Sequence, residues 1–172
     1  PRLLAVGRIP DAAAASLLSG RRHAADLGRR AGGRAAAGAT RGITFALDAP
    51  QDATVDGDAL FLQRAVGNLL DNALDFSPSG GAVEITLTQR SRFADISVRD
   101  HGPGIPDYAD QKVFEKFYSL ARPGSQRKST GLGLPFVREI AALHQGRITL
   151  RNAEGGGAVA VLSLPAQPLS AA

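Results

Sequence analysis

The sequence predicts an α/β (α+β) sandwich: one mixed sheet of about five strands, covered on one face by about three helices. Three features point there. Runs such as Val83–Gln89 and Phe93–Arg99 alternate apolar and polar residues, as half-buried strands do. From Leu62 to Ala73 the apolar residues fall at i, i+3, i+4 and i+7, the period of an amphipathic helix. Residues 101–130 follow neither pattern and carry Gly102, Pro103, Gly104, Pro106, Pro123 and Gly124. A structureless stretch of that length in a compact domain usually forms a lid or binding loop.

The elements follow in chain order. Residues 1–9 read as the last turns of a helix that Pro10-Asp11 breaks. The Ala-rich stretch 12–39, with Leu17, Leu18 and Leu27, suggests a helix, although Gly20, Gly28, Gly32 and Gly33 each cost about 1 kcal/mol relative to Ala. Ile43–Leu47 alternates as a strand that Ala49-Pro50 ends, and Val55 belongs to a short second strand. Asp58 is placed to cap a helix running to about Phe76. Ser77-Pro78-Ser79-Gly80-Gly81 is a turn into the strands Val83–Gln89 and Phe93–Arg99. A short helix, Asp110 to Phe117, is expected inside the long irregular segment. Gly133–His144 reads as a helix with Pro135 in its first turn, and Gly146 as its cap. There His144 would favour the helix dipole if charged. The strands Arg147–Asn152 and Ala158–Leu164 form a hairpin around Gly155-Gly156-Gly157, and the tail from Pro165 reads as frayed. The folded domain is therefore expected over residues 12–165, with 1–11 left from a preceding helical dimerisation domain or linker and 166–172 as a tail.

Composition narrows the function. At 172 residues the chain has room for one domain with a sizeable core. It contains no cysteine, which removes disulfides, thiolate catalysis and Cys-based metal sites. It contains no methionine and starts with proline, so it reads as a piece of a longer protein. No run approaches the roughly 20 apolar residues of a membrane span, and nothing resembles a signal peptide. The basic balance is local: residues 1–42 hold eight Arg against two Asp, whereas residues 43–172 hold twelve basic and fourteen acidic groups. Around Arg21, Arg22, Arg29, Arg30 and Arg34 no aromatic residue is interleaved, unlike a single-strand stacking platform. A solvated helix face, or one that meets another domain, is the better reading, and no nucleic-acid partner is expected. The rival, a basic DNA-binding protein, would bind through residues 1–42 with steep salt dependence.

Three segments carry candidate chemistry. Asn68, Asn72 and Asp75 fall at i, i+4 and i+7 and so share one helical face. Two amide carbonyls one turn apart are hard oxygen donors, suited to a Mg²⁺ that stays partly hydrated and also holds phosphate oxygens; alone, they equally describe a wet polar face. Asp100-His101-Gly102-Pro103-Gly104-Ile105-Pro106 ends a strand. Its carboxylate could accept from an exocyclic amine such as that of adenine, with glycines letting the backbone approach a flat ring; alone, it is an Asp-Gly turn. It is not a dinucleotide fingerprint, since no helix with the required third glycine follows. Ser129-Thr130-Gly131-Leu132-Gly133-Leu134 enters a helix, where backbone N–H groups favour an anion. Leu134 stands where a P-loop has its lysine, so a P-loop is rejected.

In this order the segments resemble the N, G1, F and G2 boxes of the sensor histidine kinases, in the GHKL superfamily shared with gyrase B, Hsp90 and MutL. Asn68–Phe76 resembles the N box, Asp100–Pro106 the G1 box, Val113–Tyr118 the F box and Gly131–Leu134 the G2 box. The match spans roughly residues 43–165, with 28 residues from Asn72 to Asp100 and 31 from Asp100 to Gly131. Within the family the chain is most similar to the CreC-type sensor kinases, through its FYSL segment and the Gly-Leu-Gly-Leu run that follows. The resemblance implies a Bergerat fold that binds ATP. By it, Asn72 would hold Mg²⁺ with Asn68 assisting, and Asp100 would receive the adenine amine. Gly102 and Gly104 would let the chain pass the base, and Ile105 would line its pocket. Residues 106–130 would be the ATP lid, anchored by Phe114 and Phe117. Thr130, Gly131, Leu132, Gly133 and Leu134 would meet the phosphates, and Phe76, Lys116 and Tyr118 would complete the nucleotide site.

The branch follows from one residue. The superfamily's ATP hydrolases resemble one another in carrying a general-base glutamate where this chain has Asn68, whose amide takes no proton near neutral pH. In histidine kinases the nucleophile lies on a separate helical domain, and the nucleotide domain positions the γ-phosphate. None of His23, His101 or His144 lies in the expected acceptor pattern of His-Glu followed by proline, so no catalytic residue is assigned. The implied partners are a histidine-bearing helical domain of the same protein, in cis or in trans, and a response regulator acting with the whole kinase. The domain would be cytoplasmic and its parent an inner-membrane sensor. Three departures bear on ATP affinity: Asp75 where the family usually has Lys or Arg, Ser119 where an arginine often follows the F box, and Ser129 in place of a frequent glycine. Arg122, Arg127 or Lys128 would substitute for the arginine missing at Ser119. The alternatives are a nucleotide-sensing module with weak or no phosphotransfer, and an anti-sigma-type serine kinase; the latter branch also resembles the hydrolases in having glutamate at the Asn68 position.

Overall fold

The computed structural model describes residues 41–49, 53, 55, 57–121 and 130–166. The helix expected over residues 12–39, Ser129 and the candidate cations Arg122, Arg127 and Lys128 lie outside the described residues. Among the described residues five strands form one sheet: β1 (Thr44–Asp48), β2 (Ala82–Arg90), β3 (Phe93–Arg99), β4 (Arg147–Asn152) and β5 (Ala158–Pro165). Their order is β1-β2-β3-β5-β4, with β1 parallel to β2 and the other neighbours antiparallel, so the sheet is mixed. Ile85 pairs with Val98, and Val98 with Ala160, which aligns the apolar positions of three strands on one face. Two helices, α1 (Ala59–Phe76) and α2 (Gly133–Leu143), cover that face. Leu62, Ala65, Val66 and Leu69 of α1 and Val137 and Ile140 of α2 join Val83, Ile85 and Leu87 of β2 in one core.

Local chemistry sets the ends of α1. The Asp58 carboxylate accepts from the amides of Leu60 (2.9 Å) and Phe61 (3.1 Å), satisfying two of the orphan donors at the helix start. At the other end the Arg41 guanidinium donates to Leu74 O (2.8 Å) and to Ser77 O, and the buried Ser77 hydroxyl donates to Ala73 O at 2.7 Å.

Several expectations need correction. Val55 forms an isolated antiparallel bridge with Ala166, not a strand, and Ala166 N also donates to Arg92 O at 2.8 Å, so the chain is held one residue beyond Pro165. No α-helix forms over Asp110–Phe117; two 3₁₀ turns, Asp107–Ala109 and Lys112–Phe114, take its place. Glu115 is already extended (ψ 143°), and Phe117 is left-handed (φ 68°). The end of α2 is a Schellman motif: Gly146 N donates to Ala141 O (2.7 Å) and Gln145 N to Ala142 O (3.0 Å), and Gln145, not Gly146, takes the left-handed position (φ 56°). His144 acts by hydrogen bonding and not by charge. Its Nδ1 donates to Ile140 O at 2.8 Å while Nε2 accepts from Asp58 N at 3.0 Å, a pattern only the neutral ring provides. The end of α2 is thereby tied to the start of α1.

Candidate functional site

Between α1, α2 and the segment after β3 lies a cavity of about 760 Å³. Its apolar floor is Val98 and Ala160 of the sheet with Val113, Leu150 and Ala158. α1 contributes Asn68, Asn72, Asp75 and Phe76; the turn after β3 contributes Asp100, Gly104 and Ile105. Tyr118 and Thr130 to Leu134 close the remaining side.

These positions follow from the elements that carry them. Because α1 turns Leu62, Leu69 and Leu70 into the core, residues about half a turn away must face out of it. The stripe Asn68-Asn72-Asp75 is thus presented to the cavity, each residue half-buried. Asp100 sits where β3 ends, its backbone N–H still bonded to Ala158 O of β5 (2.9 Å). The residue is only 8% exposed. The amides of Gly102 (2.8 Å) and Ala158 (3.3 Å) both donate to Oδ1, so neither occupies Oδ2. Burial pushes this carboxyl above its ordinary value of 3.8; the amide bonds, then the charges of His101 and Arg99, work in the opposite direction.

The turn itself is clamped by a residue that the sequence reading did not single out. The Asn152 amide accepts from Ile105 N (2.6 Å) through Oδ1 and donates to Ile105 O (2.9 Å) through Nδ2. Gly104 lies against this clamp at φ 79°, where an added Cβ would come within 2.6 Å of Asn152 Oδ1. Asn at the end of a strand signals only a turn, and nothing local links it to a residue 47 positions away. The neighbouring His101 is held by Glu84, Nε2 to Oε1 2.8 Å.

The entry to α2 supplies the opposite wall. Leu132 at its N-cap offers no side-chain hydrogen bond, and Pro135 has no N–H, so the amides of Gly133 and Leu134 remain available to an anion. Gly133 faces Asn68: a Cβ there would lie 3.9 Å from Asn68 Oδ1. Gly131 is left-handed (φ 64°), and its O accepts from Phe117 N at 2.9 Å.

Not every residue of the sequence reading comes to the cavity. Lys116 is exposed and does not line it, and Gly102 takes part through its amide on Asp100. Phe114 packs with Ile105, Ala109 and Val113 as an anchor should. Phe117 does not; it is 78% exposed, and Tyr118 packs there in its stead. Arg64, one turn before Asn68, lines the cavity and was not foreseen.

Among the described residues no three His, Cys, Asp or Glu side chains converge on a metal position. An ion here would draw most of its oxygens from water and from a bound ligand, with the Asn68 and Asn72 amides as protein donors. That donor set fits Mg²⁺ held together with phosphates.

The model of the family described as histidine kinase-, DNA gyrase B-, and HSP90-like ATPase matches residues 57–168. Sensor protein CreC of Escherichia coli (strain K12) is 46% identical over 115 residues, 67% of this chain and 24% of that protein, so the chain spans about a quarter of that relative's length. Among solved structures, a mycobacterial sensor histidine kinase MprB is similar with a TM-score of 0.68 and 31% identity, over 84% of this chain and 95% of that one. Full-length ShkA in complex with AMPPNP gives a TM-score of 0.68 and 27% identity, over 85% of this chain and 30% of that one.

Proposed function

The chain belongs to the family of histidine kinase-, DNA gyrase B- and HSP90-like ATPases, and we propose that it is the ATP-binding catalytic domain of a two-component sensor histidine kinase. One observation carries this reading. A single cavity brings together a buried carboxylate (Asp100), an amide stripe on α1 (Asn68 and Asn72) and the uncapped start of α2. Asp100 would accept the exocyclic amine of adenine, with Ile105 against the ring and Phe76 and Tyr118 beside it. Asn72, assisted by Asn68, would hold Mg²⁺, which when bound offsets part of the phosphate charge. The Gly133 and Leu134 amides and Thr130 would orient the phosphates.

Positioning is the chain's contribution to transfer. With an amide at Asn68, the position that carries the hydrolases' glutamate holds no group able to take a proton from water, so the γ-phosphate would wait for the imidazole of a histidine on a separate helical domain. The relatives' names support that branch, CreC being a sensor protein and MprB a sensor histidine kinase. Further partners on this reading are that histidine-bearing domain, in cis or in trans, and a response regulator. No helix among the described residues is long and apolar enough to cross a membrane; anchoring would belong to other parts of an inner-membrane parent, with this domain on the cytoplasmic side.

Calorimetric titration with ATP and a non-hydrolysable analogue, with and without Mg²⁺, tests the proposal. Binding should require Mg²⁺, and Asn72→Ala should weaken it by about 10-fold or more through the lost ligand. Equal affinity with and without the ion, unchanged in Asn72→Ala, would rule the arrangement out.

A further inference from the structure

Asp71, Asp75 and Asp100 line the cavity, and Arg64 is the one Lys or Arg among its described lining residues. A magnesium ion offsets only part of a triphosphate's charge, so a further cation near the terminal phosphate is favoured. Arg64 stands in such a place. It continues the α1 stripe, with Arg64, Asn68 and Asn72 at i, i+4 and i+8 on one helical face. Its guanidinium carbon lies 5.5 Å from the centre of the Phe136 ring, in the first turns of α2. That contact favours the exposed Arg64 guanidinium leaning across to α2, beside its start.

We propose that Arg64 reads the terminal phosphate, so that one guanidinium on α1 helps this chain to distinguish a nucleoside triphosphate from a diphosphate. The proposal rests on the nucleotide-binding reading above and extends it to the choice between ATP and ADP. A guanidinium offers several N–H donors in a fixed fork that matches phosphate oxygens. Arg64 lies near the start of α1, whereas Phe76 at the helix's end lies against Gly102 beside Asp100, so at about 1.5 Å per residue the guanidinium is reached by the part of the ligand farthest from the base.

The test uses the full 172-residue chain. ATP and ADP affinities are measured calorimetrically with Mg²⁺ for the wild type, Arg64→Ala, Arg64→Gln and Arg64→Lys, with a thermal melt of each variant. Arg64→Ala and Arg64→Gln should lose about 10-fold in ATP affinity and less than about 2-fold in ADP affinity. Arg64→Lys, which keeps the charge without the planar fork, should fall between them and the wild type. Arg64→Gln keeps a planar polar end, so an ATP-specific loss in it, at an unchanged melting temperature, separates phosphate reading from a packing role. Equal losses for both nucleotides, or no loss for either, overturn the proposal while leaving the nucleotide site standing. A wild-type chain that binds neither nucleotide overturns the functional reading and this inference with it.

Discussion

Burial raises the Asp100 carboxyl above its ordinary value, and the Gly102 and Ala158 amides offset that only in part. A carboxyl whose native value exceeds its unfolded one keeps its proton longer when folded. Its ionisation therefore lowers stability as pH rises through that interval, and below 3.8 the burden is gone. Asn leaves an oxygen for both amides and does not ionise. Asp100→Asn is expected to melt at or above the wild-type temperature at pH 7, with the gap narrowing toward pH 3.8, in melts followed by circular dichroism. Its nucleotide affinity should fall by about 10-fold or more, because the carboxylate acceptor is lost. In the wild type, affinity should begin to fall on acidification at a higher pH than an ordinary carboxylate would give. Asn152→Ala strips both side-chain partners from Ile105 and should cost about 1–3 kcal/mol, read by urea denaturation, with weaker nucleotide binding in calorimetry. At this scale the sequence was half legible. Asp100 announced itself by standing before two glycines at a strand end, whereas Asn152 and Arg64 act through partners that only the folded chain supplies.

The helices and strands were legible because their periodicity states which face is buried. The apolar spacing from Leu62 to Ala73 and the Asp58 cap placed α1 within a residue of where it lies. The segment after Pro106 defeated the same method. Its Val113 and Phe114 suit a helix, but tertiary contacts set the backbone, with Phe117 pinned left-handed against Gly131 O. Gly131→Ala tests how tightly that closure is fitted, since a Cβ would meet Phe117 Cα at 2.7 Å on a left-handed backbone. A loss of more than about 1 kcal/mol is expected in denaturant titrations.

For the molecule as a whole, the five strands and the mixed character of the sheet were readable, while the strand order, with β5 inserted between β3 and β4, was not: it depends on contacts far apart in sequence. The predicted similarity to CreC-type kinases agrees with the 46% identity to CreC. Of the three histidines, His101 and His144 are described; both are engaged at element ends and neither lines the cavity. Incubated with labelled ATP, the chain alone should therefore stay unlabelled, and adding a histidine-bearing helical domain of the same parent should move label to that domain. Label on the isolated chain, lost in His101→Gln or His144→Gln, would contradict that division of labour.

One cylinder, α1, serves two masters: Leu62, Val66 and Leu69 are seated in the core while Arg64, Asn68 and Asn72 look the other way. Removing a single residue between Asp58 and Arg64 would turn everything beyond it by about 100° relative to the capped end. The chain would then have to choose between keeping its leucines seated and keeping its amides aimed. Length changes in this stretch should be far less tolerable than substitutions, and a one-residue deletion there should abolish folding and ligand capture in the same step.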